Sequence, residues 1–251
     1  MDQRLEGGFD GGASLVGGTV RRTAGRWTAS VHALLAHLEA AGFSEAPRAL
    51  GIDVDGRDTV SFLRGQTVGN SLPWPSWTHS SSALTDVARW LRRYHAAVAD
   101  FVPPKDASWR EGGVWRPGLI VAHNDAAPYN AVWTADGLVG FVDWDMAGPV
   151  RQELDVAWVA FSWTPLHAPH VVAAEGFTDL GSRLSRLSVF LREYRWQGTT
   201  SDVLDLVAER LTVQLTLMTR AASTDPTYQR MLAAGRHQDL TVALDQLATL
   251  H

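Results

Sequence analysis

The spacing of apolar residues predicts two amphipathic helices in the first hundred residues. The first helix has four apolar residues at the spacing of a single buried face: Val31, Leu34, Leu35 and Leu38. Thr28 can cap the start of this helix, and Gly42 is placed to end it. The second helix has a similar face and ends before Pro103-Pro104; its apolar residues are Leu84, Val87, Leu91, Tyr94 and Val98.

The same N-terminal part of the chain has the pattern of short strands and tight turns. Residues 50–54 and 59–63 flank Asp55-Gly56, a dipeptide that accepts the positive φ angles of a turn, and so predict a β-hairpin. Between residues 5 and 22, three glycine pairs predict irregular strands joined by tight turns: Gly7-Gly8, Gly11-Gly12 and Gly17-Gly18.

After residue 177 the apolar pattern is helical. Five residues recur at helical spacing before Gly198, namely Leu180, Leu184, Leu187, Leu191 and Tyr194, and similar stripes follow over 201–220 and 226–250. Residues 64–82 are rich in Gly, Ser, Pro and Trp, and their apolar residues follow neither the helical nor the strand spacing. We therefore predict an α+β protein with a small β-rich N-terminal lobe, residues 1–66, and a larger, mainly helical lobe, residues 67–251.

Composition narrows the class of protein. The chain has 251 residues, of which 45% are hydrophobic, enough for a buried core, and it has no cysteine, which excludes disulfides and zinc-thiolate sites. The formal net charge is -5 and no basic run exceeds a pair, so we expect no nucleic-acid partner. The N-terminus lacks the apolar core of a signal peptide, and the longest apolar run is too short to span a bilayer. We expect no membrane partner and a cytoplasmic location.

One polar cluster carries the candidate chemistry. The apolar run 119–122 leads into HNDAAPYN, and Asp136-Gly137 then predicts a two-residue hairpin turn. Counting outward from that turn places Asn130 opposite Asp143, beside Asp125. An amide oxygen next to a carboxylate suits Mg²⁺, while Asp125 suits a base that orients or deprotonates an attacking hydroxyl. This combination indicates phosphoryl transfer.

The motifs in this segment have a recognisable combined spacing. His123, Asp125 and Asn130 form H-x-D-x4-N, and they are followed by V-D-W-D at 142–145 and D-V-A at 155–157. This pattern resembles the aminoglycoside phosphotransferase and choline kinase-like family. The similarity extends over most of the chain and implies a two-lobed, protein-kinase-like fold with a reduced N-lobe.

The resemblance also implies roles for individual residues. Asp125 corresponds to the catalytic base, and Asn130 and Asp143 correspond to the magnesium ligands. His123 braces the catalytic loop, and Asp155 is a structural residue that bonds to the backbone of that loop.

On the nucleotide side, the chain departs from the family. The family normally supplies an N-lobe lysine that contacts the nucleotide phosphates and a glutamate on the following helix that holds it. Neither is evident here, because Lys105 is the only lysine and that helix has a glutamate, Glu39, only toward its end. The nearest cations are Arg21 and Arg22, at the end of a candidate strand. We expect Arg22 and Arg21 to be the nucleotide-binding cations, with Arg22 favoured as the phosphate ligand, because strand alternation puts the two on opposite faces. The alternative is a solvated surface pair.

One further position remains open, and one further candidate site is excluded. Asp145 either touches the metal or caps the segment that follows it. His32 and His37 are five residues apart on the first helix, which does not place them on one face as a zinc-binding pair.

We therefore expect a Mg²⁺-dependent phosphotransferase that moves the γ-phosphoryl group of ATP or GTP to a hydroxyl of a small molecule, with an antibiotic-type acceptor favoured. The backbone of the hairpin strand at Ser61, Phe62 and Leu63 is the expected hinge that meets the nucleotide base. One alternative is a pseudokinase, a nucleotide-binding module that lost efficient transfer along with the lysine. Another is a small-molecule-binding protein that uses no nucleotide.

Overall fold

The computed structural model describes residues 3–5, 12–69 and 71–250. The chain separates into two compact units: the first comprises Met1–Asn70 and Trp90–Gln152, and the second comprises Ser71–Arg89 and Glu153–His251. The predicted glycine turns at Gly7, Gly8 and Gly11 lie outside the described residues. The division into lobes at residue 66 stays a prediction.

The first unit begins with a five-stranded antiparallel sheet. Its strands are β1 (Gln3–Arg4), β2 (Ser14–Val16), β3 (Thr19–Thr23), β4 (Ala49–Ile52) and β5 (Arg57–Ser61). Their order in the sheet is β1-β2-β3-β5-β4. The predicted hairpin is confirmed as the β4–β5 pair, and Gly17 and Gly18 turn the chain between β2 and β3 with φ angles of 57° and 83°.

The helix α1 (Thr28–Ala40) follows β3, and its predicted apolar face is confirmed. All four residues of the apolar stripe are buried. Gly42 follows the helix with φ 75°, a left-handed conformation that glycine adopts without strain. The predicted cap is wrong by one residue: Trp27 holds the capping position, and the Thr28 hydroxyl accepts a hydrogen bond from the Gly25 N–H at 2.9 Å.

The helix α2 (Ser81–Val98) contributes its first half to the second unit and its second half to the first. Its predicted apolar residues are all buried. In the first unit, Trp90 and Tyr94 pack with Phe141 and Trp144. The Tyr94 hydroxyl donates to the Val121 carbonyl at 2.6 Å, which ties this helix to the strand that leads into HNDAAPYN.

Two small antiparallel pairs complete the first unit. They are β6 (Ile120–Ala122) with β9 (Gly148–Val150), and β7 (Ala131–Thr134) with β8 (Gly137–Phe141).

The register predicted for the second pair is wrong by two residues beside the turn and by one residue at Asn130. Thr134 pairs with Gly137, so the turn is Ala135-Asp136, and a bulge lies between Val132 and Trp133. The Val142 N–H donates to the Asn130 carbonyl at 2.9 Å, which places Val142 opposite Asn130. A bulge adds a residue to one strand, and counting outward from a turn cannot reveal it.

The second unit is helical. Its helices, besides the start of α2, are α3 (Gln152–Trp163), α4 (Pro169–Glu175), α5 (Arg183–Tyr194), α6 (Thr200–Ala221), α7 (Pro226–Ala233) and α8 (Arg236–Leu247). The predicted stripe before Gly198 is partly wrong, because α5 begins only at Arg183 and Leu184 is exposed, while Phe190 joins the buried face. Within the described part of the chain, no helix is long and apolar enough to cross a membrane.

Candidate active site

The loop after β6 is fixed by hydrogen bonds from consecutive residues. His123 is fully buried; its Nδ1 accepts from the Asp125 N–H at 3.2 Å, and its Nε2 lies 3.1 Å from the Val142 carbonyl, so one neutral tautomer satisfies both contacts. Asn124 has a left-handed φ of 60° and donates its amide N–H to the Met146 carbonyl at 3.1 Å. These bonds join the loop to the chain that carries Asp143.

The Asp125 carboxylate is held by two donors. The Tyr129 hydroxyl donates to Oδ1 at 2.6 Å, and the Asn130 amide donates to Oδ2 at 2.8 Å. Burial raises the pKa of Asp125 to about 7; the charge of Asp143 adds to the rise, and the two hydrogen bonds oppose it. A carboxylate with this pKa exchanges its proton near neutral pH, as a general base requires.

Asn130 and Asp143 present oxygens suited to a hard cation. The Asn130 Nδ2 also donates to the Asp125 carbonyl at 2.9 Å, which turns the amide Oδ1 away from Asp125. Asp143 has a left-handed φ of 63°, unusual for a residue with a side chain, and its side chain is 43% exposed. Among the described residues, no three His, Asp or Glu side chains form a metal-binding cluster. The amide–carboxylate pair fits Mg²⁺, which takes few protein ligands and keeps waters or phosphate oxygens.

A single arginine reaches this carboxylate from β3. The Arg22 Nε donates to Asp58 Oδ2 at 2.7 Å, and its Nη1 lies 3.4 Å from Asp143 Oδ1 and 2.9 Å from Asp145 Oδ1. Burial alone would lower the pKa of Arg22, but the three carboxylates raise it above its usual value. The Arg22 side chain is only 16% exposed, so the solvated-pair alternative is wrong for this residue.

The neighbouring Arg21 lies outside this cluster. Its Nη1 is 3.5 Å from Asp53 Oδ2 on the opposite face of the sheet, and its side chain is 34% exposed. The two arginines therefore have the opposite orientations that strand alternation predicted, and Arg22 alone of the two reaches the loop.

Asp145 lies between two guanidinium groups. Besides Arg22, the Arg110 Nη1 is 3.9 Å from its Oδ2. Burial raises the pKa of Asp145 to about 6; the charge of Arg22 opposes this rise and that of Asp143 adds to it. Asp145 sits inside the single helical turn Trp144–Met146, so it does not cap that turn.

Sequence reasoning missed Asp58 and His32. Asp58 is only 1% exposed, lies opposite Arg22 in the β3–β5 register and contacts His32 Nε2 through Oδ1 at 2.6 Å. Burial raises the pKa of Asp58, but the hydrogen bonds from His32 and Arg22 bring it below its usual value. The signal in the sequence that could have identified Asp58 is its place in β5, where a charged residue occupies one of the alternate positions that face the protein interior.

The remaining predicted residues are placed as follows. The Ser61 N–H donates to the Arg48 carbonyl at 2.9 Å, and the Phe62 N–H donates to the Gly18 carbonyl at 3.3 Å. Leu63 follows them, partly buried. Asp155 is buried in the first turn of α3, in the second unit. The hinge role and the contact of Asp155 with the loop stay predictions.

Known proteins match this chain over the site and beyond it. Residues 115–190, which include every loop residue described above, match the phosphotransferase enzyme family, APH. The trifolitoxin immunity protein of Rhizobium leguminosarum bv. trifolii is 34% identical over 183 residues, which are 71% of this chain and 68% of that protein. The chain belongs to the phosphotransferase enzyme family.

Solved structures similar to this phosphotransferase confirm the predicted protein-kinase-like α+β fold. A choline/ethanolamine kinase family protein from Mesorhizobium loti has a TM-score of 0.56 at 14% identity, covering 98% of this chain and 92% of the other. The ADP-bound aminoglycoside phosphotransferase APH(2'')-Ib has a TM-score of 0.57 at 11% identity, covering 97% of this chain and 92% of the other. The family and the fold together make this phosphotransferase a small-molecule kinase.

Proposed function

We propose that this kinase transfers the γ-phosphoryl group of ATP or GTP, with Mg²⁺, to a hydroxyl group of a small molecule. One observation carries the proposal. A carboxylate with a pKa near 7, an amide–carboxylate pair suited to magnesium and a partly buried guanidinium are grouped in the first unit. Each of the three has a distinct place in phosphoryl transfer.

In the proposed reaction, Asp125 accepts the proton of the acceptor hydroxyl. The acceptor oxygen forms a bond to the γ-phosphorus while the bond from phosphorus to the β–γ bridging oxygen breaks, and the nucleoside diphosphate leaves with that electron pair. Arg22 binds phosphate oxygens and stays charged throughout. Asn130 and Asp143 would hold the magnesium ion, whose charge offsets that of the phosphate groups. His123 keeps the loop and the segment before Asp143 in register.

Two findings support the choice of substrates. The structurally similar APH(2'')-Ib is ADP-bound, which favours a nucleotide in this protein. The relative that is 34% identical is an immunity protein, which favours a toxic, antibiotic-type acceptor that phosphorylation would inactivate. We also propose a cytoplasmic location, where nucleoside triphosphates are available, and the hinge Ser61, Phe62 and Leu63 for the base.

The test is a binding experiment followed by an acceptor screen. Thermal-shift titrations with ATP and GTP, each with and without Mg²⁺, should show stabilisation that requires the metal. Hydroxylated antibiotics are then screened for nucleotide consumption and for a mass gain of one phosphoryl group. Metal-dependent binding without turnover on any acceptor would favour the pseudokinase alternative, and no nucleotide binding at all would favour the small-molecule-binding alternative.

The raised pKa of Asp125 predicts the pH dependence of the reaction. The base works only when deprotonated, so kcat/KM should rise with pH up to about 7 and level off above it. The measurement is kcat/KM for the acceptor between pH 5 and pH 9, at saturating Mg²⁺-nucleotide. A rate that stays constant between pH 5 and pH 7 would contradict a base with this pKa.

The two adjacent arginines provide a matched pair of variants. We expect Arg22→Gln to weaken Mg²⁺-ATP binding by about tenfold or more, because it removes the charge that faces the candidate metal site. Arg21→Gln removes the same charge from the opposite face of β3 and should leave the Kd nearly unchanged. Isothermal titration gives both values. Equal losses in the two variants would show that Arg22 acts only through the general charge of the protein.

A further inference from the structure

The two oxygens of Asp58 are divided between two partners. Its Oδ2 accepts from the Arg22 Nε at 2.7 Å, and its Oδ1 contacts the His32 Nε2 at 2.6 Å. Asp58 is 1% exposed, so both contacts are shielded from water. His32 reaches Asp58 from α1. The buried apolar face of α1 holds this helix in place and so fixes the backbone position of His32.

This division determines which edge of Arg22 faces the candidate site. A carboxylate beside an arginine commonly accepts two parallel N–H bonds, one from each of two nitrogens. In this structure His32 contacts Oδ1, and the hydrogen bond between Asp58 and Arg22 joins Oδ2 to Nε. The Nη1 of Arg22 is directed instead to Asp143 and Asp145.

We propose that His32 and Asp58 are positioning residues that turn the Nη edge of Arg22 toward the nucleotide phosphates. The inference rests on the proposed function, because it requires Arg22 to bind phosphate. Without the His32 donor, the Asp58 carboxylate is free to rotate and accept from both Nε and an Nη nitrogen. The guanidinium then withdraws from Asp143, and the nucleotide loses a phosphate contact.

The test compares two amides that differ by one methylene. A glutamine at residue 32 extends its amide N–H to the place of the His32 Nε2, whereas an asparagine falls short of Asp58. We expect His32→Asn to weaken Mg²⁺-ATP binding about tenfold, and His32→Gln to restore most of the affinity. Binding of adenosine, which has no phosphate, should be the same in both variants.

His37 provides the matched control on the same helix. Its Nε2 contacts the Ala97 carbonyl at 2.9 Å, away from Asp58, so His37→Asn should leave Mg²⁺-ATP binding unchanged. Thermal unfolding checks that each variant is folded. His32→Phe keeps an aromatic ring but has no N–H donor, so it should weaken Mg²⁺-ATP binding as His32→Asn does. This variant separates the loss of the hydrogen bond from the loss of side-chain volume.

A double-variant cycle separates this inference from the proposed function. In an Arg22→Gln background, His32→Asn should cause no further loss, because the histidine acts through the arginine. If Arg22→Gln alone binds Mg²⁺-ATP normally, the phosphate role of Arg22 in the proposed function fails. Three results would overturn the positioning role. In the first, Arg22→Gln weakens Mg²⁺-ATP binding but His32→Asn does not. In the second, the loss caused by His32→Asn is undiminished in the double variant, and in the third it extends equally to adenosine.

Discussion

Asp125→Asn should lower the rate of phosphoryl transfer by a factor of about 10² to 10⁴, the usual contribution of a general base. Asparagine keeps the shape of the side chain and can still accept a hydrogen bond from Tyr129, but it cannot take a proton from the acceptor. Binding of Mg²⁺-nucleotide should be nearly intact, because Asp125 is assigned to the acceptor. The measurement is single-turnover transfer to an acceptor found by the screen, alongside isothermal titration with Mg²⁺-ATP.

Asp136 provides the control for this substitution. It is exposed in the turn between β7 and β8, so Asp136→Asn makes the same chemical change away from the site. Transfer at the wild-type rate in Asp125→Asn would remove this residue from the mechanism. Loss of nucleotide affinity equal to the loss of rate would mean that Asp125 belongs to the metal site instead.

Asp143→Asn should abolish the dependence of nucleotide binding on Mg²⁺. The substitution keeps an oxygen ligand but removes the negative charge that attracts the ion, and the same carboxylate is one of three beside Arg22. We expect the gain in ATP affinity on adding Mg²⁺ to fall by a factor on the order of 100. Titrations of ATP at a series of Mg²⁺ concentrations measure that gain directly.

The reading of this experiment depends on the metal-free affinity. Removing a negative charge beside the phosphates should strengthen metal-free ATP binding slightly. In Asp143→Asn the ATP affinity without Mg²⁺ should therefore rise and the affinity with Mg²⁺ should fall, until the two are similar. Wild-type magnesium-linked affinity in Asp143→Asn would show that the ion is held elsewhere. Asp136→Asn again serves as the control.

Local patterns in the sequence were sufficient for α1, α2 and the β4–β5 hairpin, and for the loop after β6. The stripe from Val31 to Leu38 identifies α1 because one helix face is buried, and burial leaves a period in the sequence. The residues from His123 to Asn130 are close in sequence, so the hydrogen bonds among them follow from the loop itself. For the same reason, the alternation of Arg21 and Arg22 across β3 was predictable.

Contacts between distant segments were not predictable in this way. Asp58 meets Arg22 across 36 positions because β3 pairs with β5, and it meets His32 across 26 positions because α1 carries that histidine to the sheet. The partner of Asn130 is Val142 and not Asp143, because the turn lies one position earlier than predicted and the bulge at Val132 then shifts the register back by one residue. Asp143 nevertheless lies beside Arg22, since its left-handed backbone sets the direction of its side chain.

The cation at this site is an arginine, and this has a consequence for chemical labelling. Reagents that identify kinases by acylating an amine beside the nucleotide phosphates require a lysine in that place. The only lysine of the sequence, Lys105, is exposed in the loop between α2 and β6. A guanidinium that stays protonated throughout the working range of pH is a poor nucleophile toward such reagents. Surveys of cell extracts with acyl-phosphate nucleotide probes would therefore pass over this enzyme even if it binds nucleotide as we propose.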